Sequence, residues 1–203
     1  MSIQKILDEF LEIKDNSQLC IAYAAGIDSS KDKLSLLTKE LIINNAFMNV
    51  VTAWEQFLEK SAFAYSLSEK SLKGNSPVCY ISPRDEDHAN DLIKGVTQYF
   101  DWSNKEAIIN MAERIFEDGN PYKTVISGIN SYLVNIKKLR NNSAHNSKKS
   151  NAEFDTLVRT ELSPSEVGIT TAQFLLSSKN GNPPFWEIYF TQLTNGVMQI
   201  ANY

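Results

Sequence analysis

The sequence predicts an all-α protein built as a helical bundle, because helix-start signals are frequent and apolar residues recur at helical spacing. In a Ser-x-x-Glu capping box, the serine side chain and a glutamate three residues later satisfy backbone amides at a helix start. Such boxes occur at Ser103 to Glu106, Ser150 to Glu153 and Ser163 to Glu166. Further starts are indicated by Ser82-Pro83-Arg84-Asp85 and by Asn120-Pro121.

Apolar side chains three and four residues apart define the faces of these helices. One stripe comprises Ile43, Phe47, Val50, Trp54, Phe57 and Leu58, and a second comprises Val125, Ile129, Tyr132, Ile136 and Leu139. A short N-terminal helix is predicted from Ile3, Leu7 and Phe10, and a C-terminal helix from Phe185, Tyr189, Leu193, Val197 and Ile200. Residues 19–25 fit either a strand or a helix turn, and residues 70–82 fit a long connection.

Length and composition indicate one soluble domain spanning residues 1–203, which we expect in the cytoplasm. The chain is 42% hydrophobic and 22% charged, as is usual for globular proteins. No apolar run is long enough to cross a bilayer, and the N-terminus lacks the apolar core of a secretory signal. Cys20 and Cys79 have no partner at metal-binding spacing, so we expect buried free thiols and neither a metal site nor a cofactor.

A local basic strip occurs in a chain whose net charge is −4. Residues 135–149 contain no Asp or Glu and carry Lys137, Lys138, Arg140, Lys148 and Lys149. A strip of this kind predicts an anion-binding surface, here for the phosphates of RNA. For Lys137 and Lys138 alone, stabilisation of a helix C-terminus is an equally good interpretation.

Arg140 and His145 could act together on a phosphodiester. A neutral imidazole can take the proton of a ribose 2′-hydroxyl, an imidazolium can protonate the leaving 5′-oxygen, and a guanidinium can hold the phosphate. Five residues correspond to ~140° around an ideal helix, so the pair converges only if the helix tightens or ends near Asn142. The alternative is structural: Arg140 caps a carbonyl or pairs with a carboxylate, and His145 begins a loop.

The other histidine is predicted to have no part in such a site. Arg84 also precedes His88 closely, but the three acidic residues between them would repel phosphate. They are better placed to stabilise a helix N-terminus.

Two stretches resemble the HEPN superfamily, and most of all its RiboL-PSP-HEPN group of predicted ribonucleases. They are Ala-Trp-Glu-Gln-Phe-Leu-Glu at residues 53–59 and Arg-Asn-Asn-Ser-Ala-His-Asn at residues 140–146. The second contains the Arg-x(4 to 6)-His motif of the catalytic members. The resemblance covers about residues 38–165, which leaves an N-terminal extension, 1–37, and a C-terminal helical extension, 166–203.

The resemblance implies an antiparallel helical bundle that forms a homodimer, so that two Arg/His pairs face one cleft. It also implies RNA cleavage without metal, a role as a toxin or anti-phage defence effector, and an antitoxin or other defence protein as partner. Asn141 matches the polar second position of the motif. Glu55 is the candidate acidic residue from the long helix, with an ordinary surface carboxylate as the alternative.

HEPN domains can also be non-catalytic. Such domains serve as binding or dimerising partners of a nucleotidyltransferase or another defence protein. Nothing in the sequence around Arg140 and His145 distinguishes an active domain from such a module.

Overall fold

The computed structural model describes residues 1–28, 33–95, 98–145, 147–166 and 168–203. Over these ranges the chain is all-α, as the sequence predicts, and strand-like pairing is limited to an isolated antiparallel bridge between Cys79 and Phe116. In the same ranges we number the helices α1 (Ile3–Ala25), α2 (Lys33–Ser66), α3 (Glu86–Lys94), α4 (Lys105–Ile115), α5 (Tyr122–Gly128), α6 (Asn130–Ala144), α7 (Lys148–Glu161), α8 (Thr171–Leu176) and α9 (Phe185–Ala201). Single 3-10 turns lie at Glu117–Gly119 and Pro164–Glu166.

The chain divides into two compact units. Unit 1 comprises Met1–Leu11, Ala53–Leu133 and Leu193–Tyr203. Unit 2 comprises Glu12–Thr52 and Val134–Gln192. Helices α1, α2, α6 and α9 contribute residues to both units. No helix in the described ranges combines the length and apolar character that crossing a membrane requires.

The core of unit 1 contains two buried tyrosines whose hydroxyl groups are hydrogen-bonded. Tyr65 donates to the backbone oxygen of Ile200 at 2.7 Å, and Tyr122 donates to Ser61 Oγ at 2.9 Å. Burial of a hydroxyl without a partner would cost free energy, so these bonds allow the rings to pack in the core. Burial also raises the pKa of both phenols, strongly so at Tyr122.

Raising the pH above about 10 is therefore expected to destabilise the protein through these phenols. Their pKa is higher in the folded chain than in the unfolded chain, so the stabilisation is complete below pH ~10 and is lost as the pH rises through the folded pKa. The free energy of unfolding, measured by urea denaturation across this pH range, should fall less steeply in a variant with Tyr65→Phe and Tyr122→Phe. Parallel pH curves for variant and wild type would contradict this assignment.

The core of unit 2 contains a chain of aromatic rings from three helices. Phe154 of α7 packs edge-on against Phe174 of α8 with ring centroids 5.9 Å apart. Phe174 stacks on Phe185 of α9 at 4.5 Å, and Phe185 is followed by Tyr189 at 6.2 Å. These contacts fix α8, which is too short to be stable alone, between two longer helices.

Two of the predicted helix starts are confirmed. Asp85 is the N-cap of α3, and its Oδ1 accepts the backbone N–H of His88 at 2.8 Å. Helix α5 begins directly after Asn120-Pro121.

None of the three predicted Ser-x-x-Glu boxes caps an α-helix as predicted. The N-cap of α4 is Asn104, one residue after Ser103, because an asparagine oxygen caps as well as a serine oxygen. Helix α7 starts at a Ser147/Ser150 box, so Ser150 is its third residue instead of its cap. Ser163 precedes only a 3-10 turn, and the box that starts α8 is formed by Thr170 and Gln173.

The apolar stripes are confirmed as buried faces, except that Tyr132 is only half-buried, and their division into helices differs from the prediction. The first stripe lies within α2. The second is shared by α5 and α6, which are separated at Ile129 after Gly128, a weak helix former. The N-terminal helix is longer than predicted, because residues 19–25 continue α1.

The prediction of two buried thiols is wrong for Cys20. Its side chain is exposed on α1, whereas Cys79 is half-buried. Cys20 lies one helical turn before the exposed residue Tyr23. Burial raises the pKa of the Cys79 thiol.

Candidate site at the junction of helices α6 and α7

Helix α6 carries Arg140 and Asn141 and continues two residues past Asn142, to Ala144. The backbone N–H of His145 still donates to the backbone oxygen of Asn141, at 2.9 Å. Asn142 lies inside the helix, and its Nδ2 donates to Thr171 Oγ1 at 3.0 Å, which ties α6 to α8. Asn146, the last residue of the quoted motif, lies outside the described residues.

The continuous helix determines which side chains share a face. Without tightening of α6, Arg140 and His145 leave the helix axis ~140° apart. Lys138 and His145 are only about 20° apart, and Asn141 is within about 60° of both. By this geometry His145 lies nearer in direction to Lys138 and Asn141 than to Arg140.

Burial differs between the two motif residues. His145 is exposed, whereas Arg140 is half-buried. Arg140 lies about 40° around the helix from Ile136, a fully packed core residue. The guanidinium therefore leaves α6 on the flank of its buried face, and the imidazole leaves it on the solvent side.

The backbone of His145 is fixed on both sides. Its N–H is bound by Asn141 as above, and its carbonyl oxygen accepts a hydrogen bond from Ser150 Oγ. Ser150 is held in turn by the capping box, in which its N–H donates to Ser147 Oγ at 3.1 Å. The N-terminal cap of α7 thus also positions the histidine three residues before the helix.

The four lysines of the basic strip lie on both sides of this junction. Lys137 and Lys138 are two turns from the end of α6, and its last turn carries no basic residue, so stabilisation of that terminus does not explain them. Lys148 and Lys149 occupy the first turn of α7, where the helix dipole disfavours a cation. The nearest carboxylate to Lys149 is Glu153, 3.9 Å away, and the Lys149 side chain is 87% exposed.

Glu55 belongs to unit 1, whereas the residues just described belong to unit 2. Its side chain is half-buried, and its Oε1 is shielded from solvent. It is therefore not an ordinary surface carboxylate. Its assignment to the site stays a prediction.

The sequence reasoning missed the polar residues that turn inward at this end of α6. Asn142 Oδ1 and Ser143 Oγ are shielded from solvent, and neither has a hydrogen-bond partner among the described residues. A signal was available, since four consecutive polar residues, 140–143, cover every side of a helix turn and some must face inward. Buried polar atoms of this kind are costly unless a ligand or water binds them.

The second histidine lies at the start of α3, where the acidic residues beside it were expected to complement the helix dipole. His88 lies in the first turn of α3, and its Nδ1 accepts the backbone N–H of Arg84 at 3.2 Å. Glu86 and Asp87 occupy the same turn, where they complement the helix dipole. Within the described ranges, no three His, Cys, Asp or Glu side chains are grouped so that they could hold a metal ion.

Comparison of the chain with protein-family models, curated proteins and solved structures found no match.

Proposed function

We propose that this protein is a metal-independent endoribonuclease of HEPN type that acts as a toxin or defence effector. The observation that carries the proposal is the placement of His145: an exposed imidazole on a fixed backbone, between two pairs of lysines. An imidazole side chain can act as a general base or a general acid. The lysines attract the phosphates on either side of the bond to be cleaved, although Lys149 also lies 3.9 Å from the Glu153 carboxylate.

The proposed reaction is transfer of the phosphoryl group to the adjacent ribose oxygen. Neutral His145 takes the proton of the 2′-hydroxyl, and the 2′-oxygen forms a bond to phosphorus. The bond from phosphorus to the 5′-oxygen breaks, and an imidazolium gives that oxygen a proton. Lys138 and Lys148 stabilise the charge on the phosphate oxygens, and Asn141 orients the phosphate from the same helix face.

Two protons move in opposite directions, so two imidazoles serve the reaction best. His145 is the exposed histidine, and His88 is engaged at the start of α3. A homodimer that brings two copies of His145 to one cleft would supply both the base and the acid. In such a dimer Arg140 of one copy need not reach the phosphate held by its own His145.

The second candidate function is a non-catalytic binding module that pairs with another protein of a defence system. This binding function is favoured by the angle of ~140° between the directions in which Arg140 and His145 leave α6. A protein in which these two side chains cannot contact the same phosphate would still bind RNA through its basic surface but would not cleave it.

The products of cleavage test the proposed reaction. Mass spectrometry of a short RNA incubated with the protein in excess EDTA should show a 2′,3′-cyclic phosphate on one fragment and a 5′-hydroxyl on the other. An RNA with 2′-deoxyribose at the cleaved position should still bind, because the lysines contact phosphate, but should not be cut there.

Two outcomes would contradict the mechanism. Fragments with a 3′-hydroxyl and a 5′-phosphate would show that water is the nucleophile. Activity that appears only after addition of magnesium or manganese would show that a metal takes the role assigned to His145. RNA binding without cleavage under all conditions would favour the binding module.

A further inference from the structure

An open cleft lies in unit 1, between the beginning of α5 and the last turns of α9. Its volume is about 630 Å³, which is in the range of sites that bind small molecules. The two helices approach each other closely at Gly196, where an added Cβ would lie 3.2 Å from Val125 Cγ1. Val125 and Pro121 are the buried residues of the lining, so the bottom of the cleft is apolar and is fixed by helix packing.

Three amide side chains from the end of α9 line one wall of the cleft. Asn195, Gln199 and Asn202 leave the helix within about 60° of one another. Neither Asn195 nor Gln199 makes a side-chain hydrogen bond to a residue that the structure describes. Asn202 Nδ2 donates to the backbone oxygen of Met198 at 2.8 Å, which leaves its Oδ1 as an acceptor. This wall therefore offers both donors and acceptors to a ligand.

The beginning of α5 supplies further polar groups. Thr124 Oγ1 donates to Asn120 Oδ1 at 2.6 Å, which leaves Asn120 Nδ2 as a donor. Tyr203 adds an aromatic ring to the lining and is 37% exposed. In the described part of the chain no acidic side chain lines the cleft, so a metal cation would find no carboxylate ligand there.

Lys73 is the lining residue that carries a charge. It lies in a turn, residues 71–75, that is bound to the end of α9. The Leu72 N–H donates to the backbone oxygen of Ala201 at 2.9 Å, and Asn75 Nδ2 donates to that of Tyr203 at 3.1 Å. The Lys73 ammonium group makes no salt bridge to any residue within the described ranges. A fixed turn therefore brings one positive charge to the cleft.

We propose that this cleft binds a monosaccharide that carries one anionic group, either a sugar phosphate or a sugar acid. Sugar hydroxyl groups both donate and accept hydrogen bonds, as the amide groups of the lining do. The C–H face of a sugar ring packs against an apolar surface such as that of Pro121 and Val125. Lys73 binds the phosphate or carboxylate through charge-assisted hydrogen bonds.

The same lining disfavours other small ligands. A nucleoside triphosphate is usually held by several positive charges, including metal ions, whereas this cleft offers one lysine. A wholly apolar ligand would bury the amide groups without hydrogen-bond partners, which costs free energy. The lining therefore favours a small, hydroxyl-rich anion.

The site is tested by ligand binding, which does not depend on the proposed function, because its residues belong to unit 1 and His145 belongs to unit 2. Isothermal titration calorimetry of the full chain should give a dissociation constant on the order of 0.1–1 mM for glucose 6-phosphate or for glucuronate. The tighter of these two ligands identifies the anionic group. Glucose and inorganic phosphate each make only part of the contacts, so they should bind about tenfold or more weakly.

Lys73→Ala should weaken binding of the anionic sugar by about tenfold or more, the usual effect of losing a hydrogen bond to a charged group. Lys70→Ala is the matched control, because Lys70 is exposed in the same connection but does not line the cleft. Both side chains are exposed, so helicity and melting temperature should not change.

Asn195→Ala with Gln199→Ala should weaken binding of the anionic sugar by about tenfold, because hydrogen bonds to its hydroxyl groups are lost. The control is Gln56→Ala with Asn110→Ala, which removes two exposed amides of unit 1 outside the cleft. This control should bind as the wild type does.

The proposal would be overturned if neither anionic sugar bound at millimolar concentration. Equal affinity of Lys73→Ala and wild type would place the ligand elsewhere, and a lower melting temperature of that variant would then mean that Lys73 only stabilises the end of α9. Tighter binding of adenosine monophosphate than of ribose 5-phosphate would also contradict the proposal, because the ligand would then be recognised through its base.

Discussion

Replacement of His145 by alanine is expected to lower the rate of RNA cleavage by about 10²–10⁴-fold, the range that a positioned general acid or base contributes. The side chain is exposed, so its removal should leave the helical circular dichroism and the melting temperature unchanged. The cleavage rate is measured with a fluorescent RNA under single-turnover conditions. The melting temperature is measured by a thermal scan followed by circular dichroism.

His88→Ala is the control for this variant. It removes the other histidine of the chain, which accepts a hydrogen bond at the start of α3, and cleavage should be retained. Growth arrest on expression should likewise be lost with His145→Ala and kept with His88→Ala. Equal activity of wild type and His145→Ala would remove this residue from the mechanism, and a large fall in melting temperature would assign it a structural role instead.

Gly196→Ala is expected to destabilise the protein by about 1–3 kcal/mol, the usual cost of overfilling a packed core. A Cβ atom at this position would lie 2.9 Å from Cη2 and 3.1 Å from Cζ3 of Trp54, and 3.2 Å from Cγ1 of Val125. The Trp54 side chain is 3% exposed, so a rigid ring would have to shift in a filled core. Urea denaturation with a two-state fit measures the loss.

Gly128→Ala is the matched control for Gly196→Ala. Gly128 is also helical, but a Cβ there would meet no atom within 4 Å. Alanine is a better helix former than glycine, so this variant should be as stable as the wild type or more stable by up to ~1 kcal/mol. Similar free energies of unfolding for the two variants would show that Trp54 can move aside.

The periodic features of the fold could be predicted from the sequence. The stripe from Ile43 to Leu58 is buried in α2, because apolar side chains at helical spacing must face a core wherever the helix packs. The helix boundaries were harder to predict. Ser103 and Asn104 are both good caps, and their local hydrogen bonds differ too little in free energy for the sequence to distinguish them.

The break between α5 and α6 shows a second limit of periodicity. Val125, Ile129, Ile136 and Leu139 are all buried, although Ile129 lies between two helices. The interruption falls at Ile129, with φ −106° and ψ 18°, and the same side chains are still in the core. The apolar pattern therefore contained no trace of the break, and only the weak helix propensity of glycine pointed to it.

The candidate site was predicted in its residues but not in its arrangement. The resemblance to HEPN proteins singled out Arg140 and His145, and their spacing raised the question of whether they converge. The answer depends on how far α6 continues, and α6 runs past Asn142, whose side chain is bound by Thr171, 29 residues later in the chain. Such a tertiary contact cannot be read from local sequence.

The two hydrogen bonds to the His145 backbone reduce the conformational entropy that the proposed reaction would cost. Fixing a mobile backbone residue costs about 1–2 kcal/mol, a cost that a histidine on a flexible loop would meet in each turnover. Here Asn141 and Ser150 hold the main chain when the protein folds. In the proposed reaction, only the two torsion angles of the exposed side chain would remain to be ordered when the imidazole meets a ribose hydroxyl.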